Sequence, residues 1–402
     1  MRDHELLPTN WAATRAMTDG GWKSPLLWID RSGVAVGVGI LLLLVPLLAT
    51  LGIIDQSLVS QLGRYCALAI LAIGLDLVWG YTGVLSLCQA MFFTLGGYAC
   101  GMYLCMHGPK DAAGIPNAIA YVSSEVGGFA LPWFWQLMAS PLWAALAIVL
   151  VPGVVAAVFG YVAFRSRVKG VYFSIITQAL TVGMCTLFTL NVLRLGGTNG
   201  LTNFTYALGV DLREPMAKVG LYSVTALMLV IIAIGALWLT KTRFGRLLVA
   251  IRDSEPRLRF AGYSPVWFKT AVFALAAMIG GIGGALYTAQ TGIINPDNMR
   301  AYESLMVVVW VAVGGRMTIT GPVIGTLFIS LLMSFLTTAR SYPFTWLPHW
   351  LGEALNAVLL NMPKLWPFVL GGLFVAVVLY LPDGLVGQWR RWMARLKAGA
   401  QP

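Results

Sequence analysis

The sequence predicts an all-α fold, a polytopic bundle of about ten transmembrane helices with both termini cytoplasmic, on three observations. Hydrophobic residues make up 58% and charged residues only 11% of the 402, with 44 glycines, a composition far from that of a water-soluble domain. Several apolar runs reach the roughly 20 residues that a helix needs to cross the hydrocarbon core. With ten spans, 19 of the 27 lysines and arginines fall on the side that holds the N-terminus and eight, Arg64 and Arg300 among them, fall opposite. That asymmetry follows the positive-inside rule and makes the net charge of +11 a topology signal, not a nucleic-acid-binding face.

Each element follows in order. Residues 1–32 are polar and end in no small-residue cleavage site, so they are expected to be a cytoplasmic leader, with the membrane domain over 33–388 and a basic tail over 389–402. Gly33 to Ile54 is the first span, and Cys66 to Trp79 most of a second, interrupted near its end by Asp76. Gly80 to Gly83 makes a tight break before a third span, Val84 to Met106. A long connection, 107–140, ends in Pro132, Trp133, Phe134 and Trp135, whose amphipathic rings suit the headgroup level. Leu142 to Phe164 and Val171 to Val192 flank a basic corner at Arg165, Arg167 and Lys169, and a loop with GGTNGLTNF (Gly196 to Phe204) precedes the sixth span, Leu221 to Thr240. Ala271 to Gln290 is the seventh span. A short run from Leu305 to Val313 is followed by a break from Gly314 to Pro322, a run ending near Leu336, and a tenth span over Leu365 to Leu381.

Between the sixth and seventh spans lies the one long charged stretch flanked by apolar spans, Lys241 to Lys269, with seven basic residues. Phe244, Leu247, Leu248 and Ile251 recur at helical spacing, Asp253 to Glu255 can start a second short helix before Pro256, and Gly262 can stop it. Such a loop has a use if a soluble partner pushes on it. The plainer alternative is a solvated loop kept basic by topology alone.

Ionisable groups inside the spans are scarce. Asp76 is the one well inside a span, so it is either a proton site or a carboxyl that satisfies backbone near the Gly80 break. The other intramembrane polar groups are small and neutral: Ser86, Gln89, Thr94, Tyr98, Ser174, Thr177, Gln178 and Thr181. Ser174, Thr177, Gln178 and Thr181 share one helical face. They suit either a path for a small polar solute or interhelical hydrogen bonds, and the two glutamines, each donor and acceptor, favour the path. Gly96, Gly97 and Gly101 in the third span and Gly280, Gly281, Gly283 and Gly284 in the seventh permit close helix approach. Five cysteines without a C-x-x-C pair and three scattered histidines give no metal site. No lysine follows a glycine, so a G-x-x-x-x-G-K-[ST] loop is absent and the chain has no such route to nucleotide hydrolysis.

Four segments together carry a resemblance: GLDLVWGYTGVLSLCQAMFFTLGGYACGMYL (Gly74 to Leu104), FRSRVKGVYFSIITQALT (Phe164 to Thr181), GGTNGLTNF, and AIRDSEPRLRFAGY (Ala250 to Tyr263). They resemble the LivM-type permeases of ABC importers and, within that family, the UrtC-type urea permeases; LWPFVLGGLFVAVVLYLPDGLVG (Leu365 to Gly387) resembles the terminal span. Cys88 and Met317 stand where many such permeases have glycine.

The resemblance implies a non-catalytic, multi-pass subunit of the bacterial inner membrane. An ATPase would dock on Arg252, Asp253, Glu255, Arg257, Phe260 and Gly262, with ATP and Mg bound by that partner and no cofactor or metal on this chain. It also implies a LivH-type second permease, two ATPase subunits and a periplasmic binding protein, with membrane lipid around the bundle. Urea is the expected solute, with a branched-chain amino acid or short amide as the alternative. A proton-coupled carrier using Asp76 and a non-transporting scaffold are the rival classes.

Overall fold

The computed structural model describes residues 39–52, 55–108 and 132–337, apart from 169, 191–192, 203–205, 208 and 213, together with helical residues scattered between 361 and 389. The expected leader, most of the 107–140 connection and residues 390–402 of the tail lie outside the described residues.

The protein is an all-helical, polytopic membrane protein. Its helices are α1 (Val45–Thr50, after a π-helical turn, Ile40–Leu44), α2 (Gln56–Thr82), α3 (Gln89–Met106), α4 (Trp133–Met138), α5 (Pro141–Arg165), α6 (Val171–Thr189), α7 (Pro215–Lys241), α8 (Arg243–Phe260), α9 (Pro265–Thr291), α10 (Ala301–Gly314) and α11 (Thr320–Thr337). Among the described residues six helices, α2, α5, α6, α7, α9 and α11, are long and apolar enough to cross a membrane, and Leu41–Thr50 and α10 are apolar but shorter. Among the described residues the expected runs as far as Leu336 thus reappear as helical elements of unequal length, and the tenth, Leu365 to Leu381, lies only in part within them.

Several boundaries differ from the sequence expectation, each for a local reason. α2 starts ten residues before Cys66 and runs unbroken through Asp76. Its first turns carry Gln56, Ser57, Ser60, Gln61 and Arg64, which hide a helix from a reading by hydropathy. Gly80 stays helical, and the break comes at Gly83, whose φ of +74° ends α2. Residues 83–88 form a non-helical connector, so α3 starts at Gln89 instead of Val84. On α4 Trp135 is fully buried within the protein, whereas Trp133 is exposed.

α9 organises the bundle. It packs against α2, α3 and α5, and 61% of the apolar stretch of α2 and of α9 is buried against 28–33% in the other four long spans, which marks these two as the inner helices. The glycines explain how. A Cβ on Gly284 would strike the Phe93 carbonyl, and one on Gly96 the backbone of Gly281. A Cβ on Gly281 would meet the Ile148 carbonyl, the one that Pro152, lacking an N–H, leaves without a donor inside α5. Backbone therefore meets backbone across these interfaces, as small residues allow in membranes. Below them, Phe92, Phe164, Phe173 and Phe273 form an aromatic cluster, Phe164 stacked on Phe173 with centroids 4.8 Å apart.

Two short ladders interrupt the helical fold. β1 (Leu201–Thr202), inside GGTNGLTNF, pairs antiparallel with β4 (Ile293–Ile294) just after α9, Leu201 opposite Ile294. Gly200, at φ +66°, brings its backbone against Ile294 and Asn295 where a Cβ would collide. β2 (Tyr206–Ala207) pairs with β3 (Val210–Asp211) as a small hairpin.

Candidate functional site

α8 contains two helical pieces. The first buries Leu248 and Ile251, the positions that recur at helical spacing in the sequence. Ser254 then leaves the helix (φ −161°, ψ 91°), Pro256 begins the short second piece, and Leu258 is its buried anchor. Gly262, at φ +85°, ends it, with the N–H groups of Gly262 and Tyr263 donating to the Arg259 and Leu258 carbonyls. Asp253, Arg257 and Gly262 face outward with Phe260, which is 93% exposed.

Glu255 points the other way. Its Oε2 accepts a hydrogen bond from Lys269 Nζ at 2.7 Å, and its Oε1 one from Arg259 at 2.7 Å. Lys269 belongs to the first turns of α9, is buried, and lies 5.8 Å from the Phe164 ring centre. A buried ammonium is tolerable only when paired, so this bridge ties the exposed piece of α8 to the inner helix of the bundle. Arg252 makes a second tie: its Nη1 donates to the Gly80 carbonyl at 3.2 Å and contacts Met317 Sδ, while its guanidinium pairs with Asp253 at 3.3 Å.

Met317 sits in the turn between α10 and α11, at φ +62°, a left-handed conformation that favours glycine. Its N–H donates to Asp76 Oδ1 at 2.9 Å, and its carbonyl accepts from Tyr81 Oη at 3.2 Å. Arg316 lies over the Trp79 ring, 4.8 Å from its centre. Asp76 is fully buried, and its other oxygen has no hydrogen-bond partner among the described residues. The carboxyl thus serves backbone in a distant turn, where the sequence suggested the Gly80 break beside it.

The hydroxyls of α6 hold the connector between α2 and α3. Ser174 donates to the Leu85 carbonyl at 2.9 Å, Thr177 accepts from the Leu87 N–H at 3.1 Å, and Thr181 reaches the Leu87 carbonyl at 3.3 Å. Extended backbone inside a membrane domain needs such partners. Thr94 bonds the Ala90 carbonyl of its own helix at 2.8 Å, and Ser86 lies 3.2 Å from Cys88 Sγ. Gln89, Gln178 and Tyr98 differ: their polar side-chain atoms are buried with no hydrogen-bond partner among the described residues. Tyr98 packs edge-on against Phe188, centroids 4.8 Å apart.

A separate polar cleft of about 390 Å³ opens between α2, α3, α9, α10 and α11, with Arg64, Tyr65, Tyr287, Asn298, Glu303 and Trp310 on its walls. Sequence reasoning missed it because Arg64 and Glu303 fell just outside the apolar runs and passed for loop residues. Their one signal is position: each sits within two residues of a run's start, Cys66 and Leu305. A second cleft, of about 500 Å³, lies under α8 beside Gly83, Phe173, Arg252, Glu255 and Lys269. Among the described residues no three or more histidine, cysteine, aspartate or glutamate side chains gather in a way that would hold a metal ion.

Residues 57–378 match the family model described as branched-chain amino acid transport system / permease component. Two curated relatives are the high-affinity branched-chain amino acid transport system permease proteins LivM of Salmonella typhimurium, 24% identical over 407 residues, and of Escherichia coli K12, 24% identical over 386. In each case 94% of this chain and 81% of the relative are covered. No solved structure is significantly similar. The chain therefore belongs to the branched-chain amino acid transport system permease family of ABC transporters, as a non-catalytic, multi-pass transport subunit.

Proposed function

We propose that this chain is one half of the membrane pathway of an ATP-driven importer, that ATPase subunits on the cytoplasmic side act on α8, and that the solute is urea. The bridge between Glu255 and Lys269 carries the coupling part of this reading. It joins the exposed surface around Phe260 to α9, so a displacement of the short second piece of α8 is delivered to the helix against which α2, α3 and α5 pack. A LivH-type permease supplies the other half of the path, two ATPase subunits bind ATP and Mg, and a periplasmic binding protein delivers the solute. Both termini lie in the cytoplasm. Urea is supported by the resemblance of Gly74 to Leu104 and Phe164 to Thr181 to urea permeases, and by Gln89 and Gln178, whose amides, unpartnered among the described residues, both donate and accept.

A second reading, transport of a branched-chain amino acid, is favoured by the charges of Arg64 and Glu303 in one cleft and by what the two LivM relatives are named for. The test is the complete complex in liposomes. A cysteine at Phe260 should crosslink to the ATPase, and internal ATP should drive uptake of labelled urea in preference to leucine. Preference for leucine would select the second reading, and uptake driven by a pH gradient without ATP would overturn both.

A further inference from the structure

The cleft between α2 and α10 holds charges of both signs that are not spent on each other. Arg64 and Glu303 both line it, yet neither makes an ion pair or a side-chain hydrogen bond among the described residues. Charged groups within a membrane domain ordinarily neutralise one another or serve a passing ligand. A third group is also unpartnered: Trp310, 4% exposed, lines the cleft, and its Nε1 has no hydrogen-bond partner among the described residues. Polar Gln61, Asn298 and Thr337 and apolar Leu71 and Phe93 also line the cleft.

From this geometry we infer that the cleft is a solute-binding vestibule on this chain's half of the pathway, taking a small bipolar solute whose acceptor end meets Arg64 and whose donor end meets Glu303. The inference rests on the transport function proposed above and places its solute. The Arg64 guanidinium offers a planar fork of donors, which matches a carboxylate or a urea carbonyl. Glu303 accepts from an ammonium or an amide. Trp310 Nε1 supplies one further donor. A solute with a single polar end would leave one of the two charges unanswered, so the pair selects for solutes polar at both ends. The hydroxyl stripe of α6, by contrast, is occupied with the connector backbone.

The test uses the complete complex with Ser334→Cys, a wall position of the cleft. An impermeant thiol reagent applied from the binding-protein side should label this cysteine, and transported solute should slow labelling at least fivefold. Protection by leucine identifies the carboxylate and ammonium ends of an amino acid, and protection by urea identifies the amide. In the same background Arg64→Gln and Glu303→Gln should each remove that protection, and protection retained in both variants would overturn the assignment of the two charges. Normal ATP-driven uptake without protection by either solute would overturn the vestibule and leave the transport function standing. Loss of ATP dependence itself would instead overturn the proposed function.

Discussion

The carboxyl of Asp76, buried within α2, accepts the backbone N–H of Met317 at 2.9 Å, from a turn more than 200 residues further along the chain. One side chain thus holds the α10–α11 turn against the end of α2, where Arg252 of α8 also touches Met317. Asparagine retains the accepting oxygen, whereas alanine leaves the part-buried Met317 N–H without it, at a cost of about 1–3 kcal/mol. Asp76→Asn is therefore expected to keep ATP-driven uptake in the presence of a protonophore, and Asp76→Ala to lower the melting temperature of the purified complex. Abolished uptake in Asp76→Asn with unchanged melting would instead assign the carboxyl to proton transfer.

Removing one partner of the Glu255–Lys269 bridge strands a buried charge, which costs about 3–5 kcal/mol in comparable sites. Glu255→Ala should therefore impair both stability and uptake. In Glu255→Leu with Lys269→Met no buried charge is stranded, since Arg259, which also pairs with Glu255, is exposed, so thermal stability should recover while ATP hydrolysis runs without transport. Recovery of uptake in the double variant would show that packing alone transmits the motion.

The α6 hydroxyls offer a discrimination between holding the connector and lining a path. Thr177→Val removes the acceptor for the Leu87 N–H and should cost about 1–3 kcal/mol, visible as a lower melting temperature, with Thr177→Ser near native. A raised KM for solute at unchanged melting temperature would place the hydroxyl in the path.

Alanine in place of Gly284 sets a Cβ against the Phe93 carbonyl, and backbone cannot step aside as a flexible side chain does. A loss of about 1–3 kcal/mol is expected, measurable by denaturant unfolding in detergent. Gly235 on α7 has open space where its Cβ would lie, so Gly235→Ala should stabilise by roughly 0.5–1 kcal/mol through helix propensity alone.

Some of this was readable in the chain because it depends on neighbours in sequence. The helical recurrence of Leu248 and Ile251, the stop at Gly262 and the small-residue face of α9 are local patterns, and each appears where the spacing puts it. The partners of Asp76, Ser174 and Thr177 were not readable, since a buried acceptor announces only that it needs a donor, not which distant turn supplies one. Arg64 and Glu303 fell outside for another reason. Hydropathy finds the lipid-facing side of a helix, and residues that face a polar cleft subtract from the same signal.

The glycine contacts between α9 and its neighbours have a dynamic consequence. Side chains at an ordinary helix interface change rotamer and absorb small shifts, so such an interface yields gradually. Gly281 and Gly284 present bare backbone to Pro152 and Phe93, with no rotamers to exchange. An interface of this kind does not creep: it holds one register until it gives way to another, so under the coupling proposed above a modest push arriving through Lys269 would either fail entirely or shift the whole inner bundle.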